Sequence, residues 1–257
     1  GGDRTRRIGA ERRDYLRHLA QIRRSARSAA ADQAEALFWL HPDPRGLQSL
    51  IRTSRLWERR PTDPDFATVR IGLGDQDLAL DLQLGETKPL EDVDILSAVA
   101  LRRLLRTHGT VRALPVAVSL RSFALLRLEG NPIAARRMTA AMVLQAVTWH
   151  APTELRVALC ARGSGLATWD WLKWAPHLAD PSVPPTDLPR FAVAENLSDL
   201  DEVLSEELAG RQLTGSTKPG TNPAWTNDRS HLLVIIDGGS IGDGGRLADP
   251  HGLRGVT

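Results

Sequence analysis

The chain has 257 residues, of which 42% are hydrophobic and 25% charged, the balance of a globular protein with one sizeable core. The formal net charge is only +2, and the single cysteine, Cys160, excludes an internal disulfide and fits a reducing compartment. Because no apolar run approaches the ~20 residues needed to cross a bilayer, the composition also excludes a membrane-spanning helix within this sequence.

The first predicted element is a long basic helix over residues 11–38, which contain neither proline nor glycine. Tyr15, Leu19, Ile22 and Ala26 recur at helical spacing and form a narrow apolar stripe. The helix should end at the proline-containing run 41–44. The basic residues of this region are Arg4, Arg6, Arg7, Arg12, Arg13, Arg17, Arg23, Arg24 and Arg27.

After an irregular polar loop at residues 54–66, strands and helices alternate. We predict two short strands within 69–84, separated near 72–75, and helices at 92–108, 133–150 and 197–211. Further strands are expected at 114–120, 125–128, 155–160, 190–194 and 232–236. Alternation with nearly continuous apolar strands predicts an α/β fold, a parallel sheet covered by helices on both faces. Residues 255–257 resemble the start of another strand, so we expect a piece of a longer polypeptide.

Residues 125–138 have the layout of a phosphate-binding strand, loop and helix without its chemistry. A P-loop requires G-x-x-x-x-G-K-[ST]. Counting from Gly130, Ala135 takes the place of the second glycine, Arg136 that of the lysine and Arg137 that of the hydroxyl residue. Pro132 also removes one backbone N–H from the loop. Two interpretations fit these residues: a weak nucleotide-binding loop and a plain strand-to-helix turn. The replaced glycine, lysine and hydroxyl residue favour the turn.

The apolar run 231–236 ends in Asp237, where a Walker B strand presents its magnesium aspartate. Gly238 stands where a motor ATPase often has a catalytic glutamate. Because Asp-Gly is also a turn signal, a turn is favoured over a metal ligand. We therefore predict no catalytic residue and no cofactor. The alternative is a vestigial site for ATP with Mg²⁺, formed by Gly130, Arg136 and Asp237.

Three of the seven tryptophans lie in the run Trp169-Asp170-Trp171-Leu172-Lys173-Trp174. Core packing is the favoured interpretation, with Trp171 in the core, and a docking surface is the alternative. No histidine pair or Cys/His cluster has the spacing of a zinc site. The basic helix offers only Tyr15 for base stacking, so nucleic acid is not predicted as a partner. A basic segment facing an anionic membrane surface fits better.

Residues 57–72, Trp-Glu-Arg-Arg-Pro-Thr-Asp-Pro-Asp-Phe-Ala-Thr-Val-Arg-Ile-Gly, resemble a segment that follows the membrane helices of EccC-type proteins. These proteins are FtsK/SpoIIIE-family ATPases of actinobacterial type VII (ESX) secretion systems. The resemblance continues through His108, Gln145, 150–152, 169–177 and 237–238, and so covers nearly the whole chain.

The resemblance implies a RecA-like fold with a degenerate P-loop, in two parts. Residues 1–41 would be a basic helical stalk that follows transmembrane helices, and residues 42–257 a degenerate first ATPase-like domain, with working ATPase domains beyond it. It also implies a place at the cytoplasmic face of the cell inner membrane, in a large homo- or hetero-oligomer. The implied partners are EccB, EccE and the ubiquitin-like domain of EccD.

The predicted function is therefore to couple the inner-membrane channel to downstream ATPase domains during protein export. A weak ATPase or ATP-gated switch is one alternative, and a DNA-translocase module is another. We expect a polar docking surface around Trp57, formed with Arg59, Arg60 and Asp63. Four stalk arginines are expected to act by charge on the membrane surface or on acidic partners: Arg6, Arg7, Arg12 and Arg13.

Overall fold

The computed structural model describes residues 2–80, 95–184, 186–213, 229–238 and 245–257, with side chains omitted at 2–5, 7–8, 11–12, 95–98, 101 and 104–105. The chain forms two compact units. The first comprises Gly1–Asp43 and Gly72–Val116, and the second comprises Pro44–Ile71 and Ala117–Thr257. The sequence-based boundary between residues 41 and 42 lies next to the first of these limits, whereas the units also divide the chain after Ile71 and after Val116.

The first unit is built on two helices. Helix α1 runs from Gly2 to Leu40 and packs against α2, Ile95–His108. The predicted basic helix is confirmed and is longer than expected. Leu19 and Ala26, from its narrow apolar stripe, are buried.

Strands β1, Thr68–Asp77, and β2, Thr110–Ser119, form a two-stranded sheet and contribute residues to both units. The predicted break of the first strand near residues 72–75 is wrong, because β1 is continuous. A Cβ at Gly74 would lie 2.9 Å from Cγ2 of Val116. The glycine therefore allows the close approach of a neighbouring strand and does not mark a turn.

The second unit contains a parallel three-stranded sheet in the order β4-β3-β5. Its strands are β3, Leu155–Ala161, β4, Val193–Ala194, and β5, His231–Asp237. In the long β3–β5 pairing, Leu155 lies opposite His231 and Ala161 opposite Asp237. The register brings the carboxyl ends of both strands to the same edge, where parallel sheets usually hold ligands.

Helices cover both faces of this sheet. Helix α3, Pro132–Trp149, packs on the face that carries Leu155, Val157 and Leu159. After β3 the chain forms the short helix α4, Ser164–Trp169. The opposite face, with Ala158 and Cys160, is covered by α5, Leu197–Val203, and α6, Ser205–Leu208, which replace the single helix predicted there. All seven residues of β3 are buried, as expected for a central strand between two layers. The predicted α/β fold is confirmed and is consistent with a RecA-like domain.

The predicted strand at residues 125–128 is wrong. Residues 125–129 are irregular, and Leu125 is exposed. In the described ranges, the edge of β5 that would receive a strand is bonded near its start, where Leu232 forms a parallel bridge with Val256. Among the helices in the described ranges, none combines the length and apolar character needed to cross a bilayer.

Candidate functional site

The three residues predicted for a vestigial nucleotide site lie together. Gly130, Arg136 and Asp237 all line one cavity of about 430 Å³ in the second unit. Gly130, with φ of +115°, precedes α3, Arg136 lies near the start of that helix, and Asp237 ends β5. The structure therefore brings the three predicted residues together, although residues 125–128 before the loop do not form the expected strand.

Arg136 and Asp237 form a bidentate ion pair across the mouth of this site. Nε of Arg136 donates to Oδ2 of Asp237 at 2.8 Å, and Nη2 donates to Oδ1 at 3.1 Å. The indole Nε1 of Trp169 donates to the same Oδ2 at 2.8 Å. Both carboxylate oxygens are thus engaged by side chains of this chain.

The electrostatics of the pair favour its charged form. Burial tends to raise the pKa of Asp237, but hydrogen bonds from Arg136 and Trp169 outweigh it and hold that pKa below its usual value. The same hydrogen bond raises the pKa of Arg136. The pair is therefore ionised at neutral pH, and its opposite charges compensate each other.

The amides at the start of α3 are also occupied. A helix N-terminus binds phosphate through its first free N–H groups. Here Pro132 has none, Ile133 and Ala134 donate to the side-chain oxygen of Asn131 at 2.9 and 3.1 Å, and Ala135 donates to its carbonyl at 2.9 Å. A phosphate would have to displace the Asn131 cap as well as the ion pair.

The remainder of the cavity is mostly apolar. Its walls come from the irregular segment 125–128, from α3 and from β5. No group of His, Cys, Asp and Glu side chains suited to a metal ion occurs within the described part of the chain. The charged residues that line the cavity are Arg127, Arg136 and Asp237. To hold ATP with Mg²⁺, Arg136 and Asp237 would have to exchange their mutual bonds for phosphate and metal.

Trp57, at the centre of the predicted docking loop, is held by the end of α3. Its backbone N–H donates to the carbonyl of Thr148 at 2.9 Å, and its indole Nε1 donates to that of Val147 at 3.1 Å. Its ring meets His177 edge-on, with centroids 6.3 Å apart. The residue adopts a positive φ of 58°, which these bonds hold in place. Trp57 is therefore partly a structural residue.

The prediction that Arg59 lies on an exposed contact surface is wrong, because this arginine is only 2% exposed. Its Nη1 donates to the carbonyl of Thr68 at 2.7 Å, and its Nε lies 2.9 Å from Oδ2 of Asp65. The guanidinium stacks 4.7 Å from the ring centroid of Trp149. Burial lowers the pKa of Arg59, opposed by the charge of Asp65. This arginine fastens the loop to the core.

Arg60, in contrast, is exposed and pairs with Glu154 at 3.1 Å. Asp63 accepts a hydrogen bond from the backbone N–H of Arg60 at 2.7 Å, which closes a turn. The side chain of Arg59 is buried and that of Arg60 is exposed, although the two residues are neighbours. The sequence alone could not tell the buried arginine from the exposed one. Of the four loop residues predicted for docking, Arg60 is exposed, Trp57 and Asp63 are half-buried, and Arg59 is buried.

The aromatic run divides into buried and exposed members. Trp169 is 2% exposed, and Trp171 packs, partly buried, against the main core. Trp174 is 82% exposed, with Nζ of Lys173 5.7 Å from its ring centroid. Trp169 ends a short α-helix, and Leu172 lies three residues further on in the 3₁₀ helix Asp170–Trp174. Both are buried, whereas Trp174 is out of phase with them and exposed.

The structure describes the side chains of two of the four stalk arginines that were predicted to act by charge. Arg6 and Arg13 are exposed on α1, and the side chains of Arg7 and Arg12 lie outside the described residues. Further along the helix, Arg23 and Arg27 add to burial in lowering the pKa of His108 on α2. The two helices thus bring basic groups close together within the first unit.

A buried histidine pair was not foreseen. Nε2 of His150 accepts the backbone N–H of Ala67 at 2.9 Å, so its Nδ1 carries the proton and donates to the carbonyl of Ala146 at 2.7 Å. His177 donates from Nε2 to the carbonyl of His150 at 2.8 Å. Burial is the main cause that lowers the pKa of His150 to about 3. These rings join loops to α3 through their hydrogen bonds.

Comparison with known proteins gives a consistent result. No family model matches the chain. The EccC protein of the ESX secretion system of Thermomonospora curvata is 41% identical over 255 residues, which are 99% of this chain and 19% of that protein. In Mycobacterium tuberculosis, EccC3 of ESX-3 is 38% identical over 91% of the chain, and EccC4 of ESX-4 is 37% identical over 92%. The chain spans 17 to 19% of the length of these curated relatives.

Proposed function

Since this chain is a homologue of the EccC proteins of ESX secretion systems, which supports a role in type VII secretion, we propose that it is a coupling and docking domain. In this role it links the inner-membrane channel to downstream ATPase domains while proteins are exported. The domain itself does not turn over nucleotide.

The ion pair of Arg136 with Asp237 carries this proposal. The positions at which a P-loop lysine and a Walker B aspartate would engage phosphate and Mg²⁺ are bonded to each other at 2.8 and 3.1 Å. The side chain of Asn131 accepts the N–H groups of Ile133 and Ala134, so the groups that would bind phosphate are bonded within the protein. An ATPase-like fold whose phosphate-binding and metal-binding positions bond to each other supports a connecting role better than a catalytic one.

Two kinds of surface support docking. The first is the exposed part of the loop around Trp57, with Arg60 and Asp63. The second is the basic α1, whose Arg6 and Arg13 face solvent. The proposed partners are EccB, EccE and the ubiquitin-like domain of EccD, at the cytoplasmic face of the inner membrane. An anionic leaflet attracts each nearby basic residue by about 1 kcal/mol, so the first part of α1 would add to anchoring.

Charge reversal in an EccC-length protein tests the docking role. Arg6, Arg7, Arg12 and Arg13 are changed to glutamate together, and the ESX subunits recovered with the protein from membranes are measured. The matched control reverses four exposed arginines of the second unit, namely Arg127, Arg137, Arg162 and Arg190. We expect recovery to fall at least about tenfold in the α1 variant and to stay near the native level in the control. Unchanged recovery with the α1 variant would reject the electrostatic role.

A further inference from the structure

Among the residues that the structure describes, those that pair with the edge of β5 facing away from β3 do so at its beginning. Leu232 donates to the carbonyl of Gly255 at 2.8 Å and accepts from the N–H of Thr257 at 3.0 Å. Val234 then donates to the carbonyl of Thr257 at 2.8 Å. This is the bond pattern of a parallel strand pair. By the two-residue period of a strand, the next groups on this edge are the carbonyl of Val234 and the N–H of Ile236.

Residues at the end of the chain are firmly held in this position. The buried guanidinium of Arg211 donates from Nη1 to the carbonyls of Arg254 and Gly255 at 3.2 and 3.1 Å. On the opposite side, the hydroxyl of Thr257 lies 2.9 Å from the carbonyl oxygens of both Leu120 and Phe123. Thr257 is therefore fixed between the edge of β5 and the segment that leads to residues 125–128.

Beyond Thr257, the space between these two walls is the cavity already described. Its body is apolar and is lined on one side by Leu125, Leu126 and Leu128 and on the other by β5, including Leu233 and Ile235. Its polar end is the Arg136–Asp237 pair. An apolar trough beside a half-paired strand edge has the chemistry of a strand site, in which backbone groups bond to the edge and alternate side chains enter the pocket.

We propose that this groove is the site of a further parallel strand, formed by the residues that directly follow Thr257 in a protein of EccC length. The second of these residues would donate to the carbonyl of Val234 and accept from the N–H of Ile236. Since Val256 lies opposite Leu232, the fourth added residue reaches the level of Asp237, at about 3.3 Å per residue. The added strand would also lie beside residues 125–128, whose composition is typical of a strand, and could pair with them. The inference stands independently of the coupling role.

Amide hydrogen exchange of Ile236 tests the register directly. Two chains are compared: residues 1–257, and the same chain extended by the native residues that follow. In the extended chain we expect exchange at Ile236 to slow by at least about tenfold, and the thermal midpoint to rise by about 5 °C or more. Ile235, whose N–H faces β3, is the internal control and should be protected in both chains. Equal exchange of Ile236 in the two chains would overturn the proposal.

A substitution within the extension separates strand pairing from a general effect of length. Proline at the second added position removes the N–H that would reach Val234 and should abolish the gain, whereas alanine at that position should keep it. Two other results would also contradict the proposal. One is protection of Ile236 in the 257-residue chain by Mg-ATP without any extension. The other is protection that appears only when another ESX subunit is present.

Discussion

Arg136 and Asp237, 101 residues apart in sequence, form a bidentate ion pair with bonds of 2.8 and 3.1 Å. The arginine occupies the position of a P-loop lysine, and the aspartate that of a Walker B acid. Arginine's planar fork matches a carboxylate in a way that lysine cannot. Arginine in place of the P-loop lysine therefore weakens the P-loop pattern and also joins α3 to the end of β5.

We predict that Arg136→Ala lowers the free energy of unfolding, because it leaves the Asp237 side chain, only 15% exposed, with Trp169 as its remaining side-chain donor. Urea unfolding measures the change. The exposed neighbour Arg137→Ala should stay within about 0.5 kcal/mol of the native chain. In a double-mutant cycle with Asp237→Ala, the two substitutions should be strongly non-additive; additive effects would show that the pair does not act as a unit.

The stability should decrease in acid because of buried neutral histidines. Burial is the first cause that lowers the folded-state pKa values of His150 and His231 to about 3, far below the usual 6.5. Their contribution to stability is complete above about pH 6.5 and is lost as the pH falls toward 3. Each such group contributes a slope of up to ~1.4 kcal/mol per pH unit in that range.

Urea unfolding between pH 7 and pH 4 tests this dependence. His150→Gln, which cannot titrate, should be less stable at pH 7 but show a shallower dependence on pH. The exposed His251→Gln is the control and should keep the native slope. An unchanged slope in His150→Gln would show that this histidine is not a neutral buried group.

Arg59 and Arg60 should behave oppositely despite being neighbours. Arg59→Ala removes a buried partner of Asp65 and of the Thr68 carbonyl, so we expect a loss of about 3 kcal/mol or more in unfolding free energy. Arg60→Ala breaks an exposed pair with Glu154 and should cost less than about 1 kcal/mol. Recovery of partner subunits should fall in Arg60→Ala if the loop docks. Equal stability losses in the two variants would refute the assignment.

The tryptophan run provides another matched pair. Trp169→Ala should cost about 3–5 kcal/mol of stability, because it leaves a cavity in the core and removes a donor to Asp237. Trp174→Ala should change the melting temperature little, since its side chain faces solvent. Measuring both variants by thermal unfolding is sufficient. A large loss of stability in Trp174→Ala would contradict its surface position.

The sequence predicted elements whose pattern reflects local physics. The long basic helix, the buried strand before Asp237 and the helix after Gly130 follow from the periodicity of their apolar residues. The grouping of Gly130, Arg136 and Asp237 followed from the order of the motifs, because parallel strands place their carboxyl ends at one edge.

What the sequence could not give depends on long-range contacts. Residues 125–128 have the composition of a strand but lack a bonded neighbour here, and no local pattern reveals that. Gly74 resembled a turn residue because its role, close approach to Val116, involves a distant strand. Arg59 resembled a surface residue because its burial depends on Trp149, ninety positions away.

Steady-state hydrolysis of Mg-ATP by the purified chain, native and Asp237→Ala, tests most directly the claim that this domain couples without turning over nucleotide. Both proteins should hydrolyse ATP at the same background rate, since Asp237 is bound to Arg136 and Trp169 and has no metal to hold. A measurable rate in the native chain that Asp237→Ala abolishes would contradict the account and would establish a working ATPase site.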